Sequence, residues 1–322
     1  MLYYILNFLI VFVSVLLTIA FFTLLERKTL GSIQRRRGPN LTGVFGILQP
    51  IADGVKLLLK ELMLPSSANI FLFLLAPLFT FFCTLMIWFT IPVQSGYVSI
   101  QFPLSTLFIL AISSLSVHGI IFSGWSSNSK YAFLGGIRSG SQMISYELAM
   151  GATFSSVILI SGTFSLIDIV NSQEHVWFVL PLFPFWLIFL IVALAETNRT
   201  PFDLPEAEAE LVAGYNVEYS AISFALFFLA EYGNIIIMSC LSVLFFWGGW
   251  HSFAGTYGIM PEFISFSIKV SWHMFFFLWI RAALPRYRYD QLMKLGWKAL
   301  IPISFTLVMA EGSFLLGTGC LL

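Results

Sequence analysis

The 322-residue sequence contains few charged residues. They make up only 10% of it, against about 25% in an ordinary soluble domain. Sixteen acidic side chains balance sixteen basic ones, so the zero net charge gives no electrostatic case for binding nucleic acid. The low charge excludes a soluble enzyme and a disordered chain. Apolar residues make up 58% of the sequence, which is enough for about eight membrane spans of about 20 residues each.

Side chains that could hold a redox cofactor are also scarce. Cys83, Cys240 and Cys320 are far apart and form no CxxC pair, so neither a disulfide framework nor an iron–sulfur or zinc site is predicted. We interpret the four histidines as satisfied polar residues. The sequence contains no Walker loop and no dinucleotide-binding glycine motif. If the protein takes part in redox chemistry, the cofactors are expected on other chains.

Long stretches without charge predict an all-α fold, a polytopic integral membrane protein formed as a single membrane domain over residues 1–322. Turn residues divide these stretches into about eight transmembrane helices. The predicted spans are 1–25, 70–91, 104–125, 142–162, 177–196, 219–247, 263–284 and 297–316. Pro181 and Pro184 fall early in the fifth span, where membrane helices tolerate proline.

The positions of the basic residues predict the orientation of these spans. The odd-numbered loops and their flanks hold fifteen Lys or Arg residues, and all the other connections and termini hold one, Lys269. Positive residues concentrate on the side where a membrane protein is synthesised. The odd loops are therefore expected on that side, with both termini on the opposite side.

The first loop, residues 26–69, combines a basic cluster with an apolar helical pattern. Its basic residues favour an anchor on anionic lipid headgroups. Ile51, Val55, Leu58 and Leu62 recur at helical spacing, which predicts an amphipathic helix lying at the membrane interface. A lid or floor for an amphiphilic ligand entering from the bilayer is the functional alternative.

The fifth loop, residues 196–218, holds six of the sixteen acids and one base, Arg199. Pro205 followed by Glu206 resembles a helix start, on which Glu206 and Glu210 would share a face. A solvated acidic loop that caps a helix is one interpretation. The other is a set of coupled carboxylates whose protonation states depend on one another.

Several ionisable residues fall inside predicted spans. Glu231 lies about 18 Å along the sixth span, near mid-membrane. Glu147 lies early in the fourth span, Glu311 lies in the eighth, and Arg281 lies near the end of the seventh. Acids at such depth are costly and typically mark a proton or ion path, although a neighbouring helix could satisfy them for packing alone.

These features fit two classes of protein. One is a proton-coupled secondary transporter, which usually shows two similar halves. The other is a coupling subunit of a larger ion-pumping complex. The sequence shows no internal repeat, and its largest loops share one face, which favours docking of partner proteins there.

A family resemblance favours the second class and covers nearly the whole chain. The sequence resembles the family of subunit 1 of NADH:quinone oxidoreductase, respiratory complex I. The resemblance is carried by the runs at 26–28, 37–40, 49–56, 145–147, 195–218, 230–232 and 285–291. Ser139-Gly140-Ser141 departs from the family, whose members usually carry more Ala there. The runner-up relatives are the equivalent subunits of a plastid quinone oxidoreductase and of a membrane-bound hydrogenase.

The resemblance implies a quinone site and a chain of coupling residues. Residues at the quinone entrance would be Arg27, Arg36, Gln49, Asp53, Phe228, Arg281 and Arg286. The proton relay would comprise Glu147, Glu196, Arg199, Asp203, Glu206, Glu208, Glu210, Glu218 and Glu231. No residue of this chain is expected to be catalytic by itself or to bind a metal.

The resemblance also implies the surroundings of the chain. Ubiquinone would be the substrate, while FMN and the iron–sulfur clusters would belong to partner subunits. The partners would be the quinone-module subunits of the peripheral arm, the other membrane-arm subunits and membrane lipids. The expected location is the mitochondrial inner membrane, with the bacterial inner membrane as the alternative.

Overall fold

The computed structural model describes residues 2–95, 102–203, 214–252 and 260–318, with side chains from residue 9 onward. Its long helices are α1 (Leu2–Ile33), α3 (Ile70–Trp88), α4 (Ser105–Ser126), α5 (Lys130–Ser161), α8 (Ala221–Phe246) and α9 (Glu262–Ala283). Shorter helices are α2 (Gln49–Leu59), α6 (Leu166–Asn171), α7 (Phe183–Glu196) and α10 (Tyr289–Lys294). A π-helical segment, Leu295–Leu300, joins α10 to α11 (Ile301–Thr318). The predicted all-α fold is confirmed, since the described residues form no β-sheet.

Among the residues that the structure describes, seven helical stretches are long and apolar enough to cross a membrane, as judged by length and composition. The predicted count of about eight is not confirmed. The fifth predicted span forms only α7, which has 14 residues and begins at Phe183 instead of near 177. Pro184 lies in its first turn, where a proline suits a helix start, and residues 178–182 form turns.

Two other spans begin earlier than the sequence predicts. Helix α5 begins at Lys130 instead of near 142, because the Ser129 hydroxyl accepts a hydrogen bond from the Ala132 N–H and small residues continue the helix. The last span begins at Tyr289 instead of near 297. Its π-helical segment places Gly296 against the Tyr146 ring.

Small residues bring the helices of the bundle close together. A Cβ atom on Gly124 of α4 would lie 3.1 Å from the Cα atom of Gly136 on α5, and one on Gly135 would lie 2.6 Å from the Cα atom of Gly214. Close backbone approach of this kind is how membrane helices gain packing energy without a hydrophobic driving force. The crossing fixes α5 at the centre of the bundle, in contact with α4, α7 and α11.

The helix predicted in the first loop is present as α2, but it ends at Leu59 because Lys60 is already extended, so Leu62, which the pattern placed on the same helix, lies outside it. Its position at the membrane interface stays a prediction. None of its residues is buried, and the apolar side chains of Ile51, Val55 and Leu58 are 62%, 47% and 67% exposed. Helix α2 contacts α1 and α8. Its apolar residues are therefore available to lipid or to a partner beside the ends of two spanning helices.

Candidate functional site

The centre of the candidate site is Glu26, a carboxylate on α1 that is 3% exposed. Its Oε1 atom accepts a hydrogen bond from the Nη1 atom of Arg281, which lies in the last turn of α9. The same oxygen lies 3.6 Å from the Nη1 atom of Arg199. One buried carboxylate therefore joins an arginine at the end of a spanning helix to an arginine inside the bundle.

Arg199 continues this chain of charges toward the middle of α8. Its Nε atom lies 2.7 Å from the Oε1 atom of Glu231, and its guanidinium carbon lies 4.5 Å from the centre of the Tyr232 ring. Only 6% of the Arg199 side chain and 13% of the Glu231 side chain are exposed. We call Arg281, Glu26, Arg199 and Glu231 the buried charge chain. In it, cations and anions alternate across α9, α1, the turn after α7 and α8.

A buried glutamine holds the turn that carries Arg199. The Gln142 side-chain amide on α5 donates to the carbonyl oxygens of Ala195, at 2.8 Å, and Phe202, at 3.0 Å. These two carbonyls flank the turn on either side. Because a buried amide with two acceptors fixes backbone on both sides, Gln142 sets where Arg199 enters the bundle.

The Glu231 carboxylate also borders a small polar cavity. The cavity has a volume of about 30 Å³, and its lining includes Glu196, Asn198 and Asn234. A polar cavity of this volume is large enough for one or two water molecules. Glu196 is 3% exposed, and the Glu147 carboxylate lies near enough for the two charges to repel each other. Three of the predicted relay carboxylates are thus close to one another within the bundle.

A row of aromatic rings on α8 runs from the buried charge chain toward the first turns of that helix. The ring of Phe228 lies 6.4 Å from that of Tyr232 and 4.5 Å from that of Phe224. The three residues recur at intervals of four, so they share one face of the helix. The predicted quinone residue Phe228 therefore lies within one helical turn of Tyr232, which contacts Arg199.

A second, more exposed cluster connects α1 to α2. The Nη1 atom of Arg27 lies 2.6 Å from the Oδ2 atom of Asp53, and the Gln49 amide donates to Asp53 Oδ1 at 2.9 Å. Arg27, Gln49 and Arg36 line an open groove of about 680 Å³. The structure thus brings together four of the seven predicted quinone residues, at the start of the amphipathic helix.

Of the remaining predicted residues, some lie in the described part of the chain and others lie outside it. Arg286, which is half-exposed, lies 3.5 Å from the buried carboxylate of Asp203. Beside this pair, the rings of Phe202 and Tyr287 stack with their centres 5.7 Å apart. Glu218 lies half-buried in the turn before α8. Glu206, Glu208 and Glu210 lie outside the described residues, so their proposed helix stays a prediction.

Comparison with known proteins identifies the family. Residues 6–311 match the model of the NADH dehydrogenase family. The chain belongs to this family. It is 54% identical over 309 residues to "NADH-ubiquinone oxidoreductase chain 1" of Chondrus crispus, covering 95% of this chain and 94% of that protein. It is 52% identical over 307 residues to an NADH-quinone oxidoreductase subunit of the bacterium Paramagnetospirillum magneticum, covering 95% and 90%.

A third relative gives the same result for a plant. "NADH-ubiquinone oxidoreductase chain 1" of Arabidopsis thaliana is 52% identical over 307 residues, which cover 95% of this chain and 94% of that protein. The resemblance inferred from the sequence motifs is therefore confirmed. Within the described ranges, no three His, Cys, Asp or Glu side chains are grouped as metal ligands. The location of FMN and the iron–sulfur clusters on partner subunits stays a prediction.

Sequence reasoning missed two contributors to the site of this NADH dehydrogenase chain, Glu26 and Tyr232. Both fall in runs that carry the family resemblance, but neither was expected to act in the site. No local pattern marked Glu26, because the span before it is apolar nearly all round; in the structure it continues the buried face formed by Val15, Ile19 and Phe22. Tyr232 follows Phe228 by one turn, which predicts a shared face.

Proposed function

We propose that this chain is the core membrane subunit of a proton-pumping NADH:quinone oxidoreductase, where it forms the membrane part of the quinone chamber. Within it, coupled carboxylates would link quinone reduction to proton translocation. The single observation that supports this best is the buried charge chain. It joins Arg281, at the predicted quinone entrance, to Glu231, at the predicted relay, without a break. The names of the relatives describe quinone oxidoreductase components and agree with this function.

The entrance we propose is the groove between α1 and α2 with the adjoining end of α9. Ubiquinone is amphiphilic, so a site for it needs an apolar approach from the bilayer and a few polar groups for its head. The exposed apolar residues of α2 supply the approach, and Phe228 supplies a ring nearby. Arg27, Arg36 and Gln49 supply donors for the quinone carbonyl oxygens, with Arg281 and Arg286 farther along.

The relay we propose runs from Glu231 through the small cavity to Glu196 and Glu147. Reduced quinone must take up protons, and this changes the charge beside the buried charge chain. Carboxylates at low dielectric interact strongly with one another, so a change of charge at one alters proton binding at the next. Asp203, Glu206, Glu208, Glu210 and Glu218 would extend the relay through the fifth loop.

The same proposal covers the partners and the location. Peripheral-arm subunits carrying FMN and iron–sulfur clusters would dock on the odd loops, and the chain would span the mitochondrial inner membrane or a bacterial inner membrane. Proteins that co-purify with the chain test this directly. An NADH-oxidising flavoprotein is expected, and a nickel–iron hydrogenase in its place would assign the chain to the runner-up complex.

The deciding test of coupling is Glu231→Gln in the assembled complex. The amide keeps the shape and hydrogen bonding of the side chain but cannot ionise. NADH:quinone turnover and proton uptake in sealed vesicles should both fall at least about tenfold, while NADH oxidation by an artificial acceptor is retained. The matched control is Glu262→Gln on α9, whose carboxylate accepts a hydrogen bond from the Ser95 N–H. Full turnover and full pumping in Glu231→Gln would make the residue structural.

A further inference from the structure

The Glu26 carboxylate is shared unequally between two arginines. Its Oε1 atom accepts from Arg281 and lies 3.6 Å from Arg199, whereas its Oε2 atom is buried and has no hydrogen-bond partner within the described part of the chain. A buried carboxylate oxygen without a partner is costly. Glu26 therefore retains an unused acceptor close to Arg199.

Arg199 is held more closely by Glu231 than by Glu26. The ion-pair distances are 2.7 Å to Glu231 and 3.6 Å to Glu26. The Tyr232 ring lies 4.5 Å from the guanidinium carbon and keeps the cation within the bundle. Since the side chain is almost fully buried, water screens these interactions little, and the balance between the two carboxylates determines the position of Arg199.

We propose that Glu26 is a positioning residue that exchanges between Arg281 and Arg199, and that the charge on Glu231 thereby sets quinone affinity at the entrance. This inference rests on the proposed function. When Glu231 is charged, Arg199 stays with it, and Glu26 holds Arg281. When Glu231 is neutral, Arg199 moves toward Glu26 and weakens the hold of Glu26 on Arg281. Arg281, whose side chain is 25% exposed, is then freer to donate to the quinone head.

A rigid clamp is the competing interpretation of the same four residues. In a clamp, the ion pairs only fasten α1, α8 and α9 to the turn after α7. Each substitution would then weaken assembly, and the charge state of Glu231 would have no effect on quinone binding. The exchange predicts instead that the charge on Glu231 changes quinone binding. Quinone binds beside Arg281, at one end of the buried charge chain, and Glu231 lies at the other end.

The experiment measures equilibrium binding of a short-chain ubiquinone to the oxidised, assembled complex without NADH. Binding at equilibrium avoids the dependence of KM on the rate of the chemical step. Glu231→Gln is expected to lower the Kd about threefold to tenfold while turnover falls. Glu26→Gln should lower the Kd by itself, and adding Glu231→Gln to it should cause no further change.

Three results would overturn the exchange, and each is distinct from failure of the proposed function. The first is an unchanged Kd in Glu231→Gln despite lost turnover, which leaves the relay intact but removes its link to the entrance. The second is a Kd shift on Glu231→Gln that is equally large in the wild-type and Glu26→Gln backgrounds.

If Glu26→Gln prevents assembly, Glu26→Asp serves instead. Its shorter side chain should reduce the Kd shift by at least half, and an undiminished shift is the third contrary result.

Discussion

Lys269 and Arg199 are both cations buried inside the helix bundle, with 3% and 5% exposure, but their surroundings differ in kind. The Lys269 ammonium donates to the carbonyl oxygens of Trp247, Gly249 and His251 at 2.7, 3.2 and 2.6 Å. These carbonyls follow the end of α8, where the helix dipole favours a positive charge. Arg199 instead lies between two carboxylates. Carbonyls do not titrate and carboxylates do, so a buried cation suggests proton chemistry only when its partners can change charge.

This contrast explains the one exception to the charge distribution of the sequence. Lys269 is the single base outside the odd loops and their flanks. Its nitrogen also lies 4.4 Å from the centre of the Trp177 ring, so it joins the end of α8 to the segment before α7. Lys269 therefore stabilises the packing between these two segments. Its position is explained by these contacts and does not bear on which side of the membrane the loops face.

Lys269→Met should give the largest effect of the variants that test this contrast, and the effect should be on assembly. Removal of the ammonium leaves three carbonyls without their donor, at a cost of about 1–3 kcal/mol for each buried group left unsatisfied. We expect the amount of assembled complex to fall severely, with near-normal turnover per assembled complex. Quantification on native gels with normalised NADH:quinone assays measures both. Lys298→Met, at an exposed lysine, is the matched control. Normal assembly of Lys269→Met would contradict a structural role for Lys269.

Arg199→Lys should give the next largest effect, and this effect should be on turnover and not on assembly. Lysine keeps the charge but lacks the planar fork that lets arginine contact two carboxylates and stack on a ring. We expect assembly to persist and quinone reduction to fall about tenfold. Arg288→Lys, at an exposed arginine, controls for the exchange of residue type. If lysine supports full turnover at position 199, the two-sided contact of Arg199 has no role in coupling.

The sequence predicted the all-α fold, and it singled out Arg199, Glu231 and Arg281 of the buried charge chain, because charge is rare and costly in a membrane protein. The roles of these three residues stay predictions. The sequence could not show which of two neighbours points inward. Glu26 and Arg27 are adjacent, yet about 100° of helical rotation separates them, so Glu26 enters the bundle and Arg27 faces the groove. The partners of Glu26 come from residues 199 and 281, and no local pattern reports such distant contacts.

The short α7 was missed for a related reason. Hydropathy measures how apolar residues 177–196 are, and it does not measure whether they form a continuous helix. In the structure, the Val179 N–H donates to the Phe246 carbonyl, and the Gln173 side chain accepts from the N–H groups of Phe178 and Gly248. These contacts fix the chain before Phe183 in turns. They depend on the end of α8, which lies far away in the sequence.

Arg281→Met should act on quinone binding more than on the chemical step. Methionine fills similar space without the charge, so Glu26 loses a hydrogen-bonded partner and the entrance loses a donor. We expect the apparent KM for a short-chain quinone to rise about fivefold to tenfold, with NADH oxidation by artificial acceptors unchanged. Steady-state kinetics on assembled complex measure both. Unchanged quinone kinetics would remove Arg281 from the entrance.

Arg27→Gln should give the smallest effect, although Arg27 belongs to the same predicted quinone set. Its side chain is 52% exposed and that of Asp53 is 34% exposed, so water screens their ion pair. Exposed pairs contribute about 0–1 kcal/mol, which limits the expected rise in KM to about fivefold or less.

The effect of Arg27→Gln on KM should also depend on salt, because the screening length falls from about 10 Å at 0.1 M to about 3 Å at 1 M. Raising the salt concentration should therefore bring wild type and Arg27→Gln together while leaving Arg281→Met distinct, since the Arg281–Glu26 pair is buried. If KM depends equally on salt in the two variants, the difference in burial between Arg27 and Arg281 has no effect on their ion pairs. Salt would then screen the entrance and the buried charge chain to the same extent.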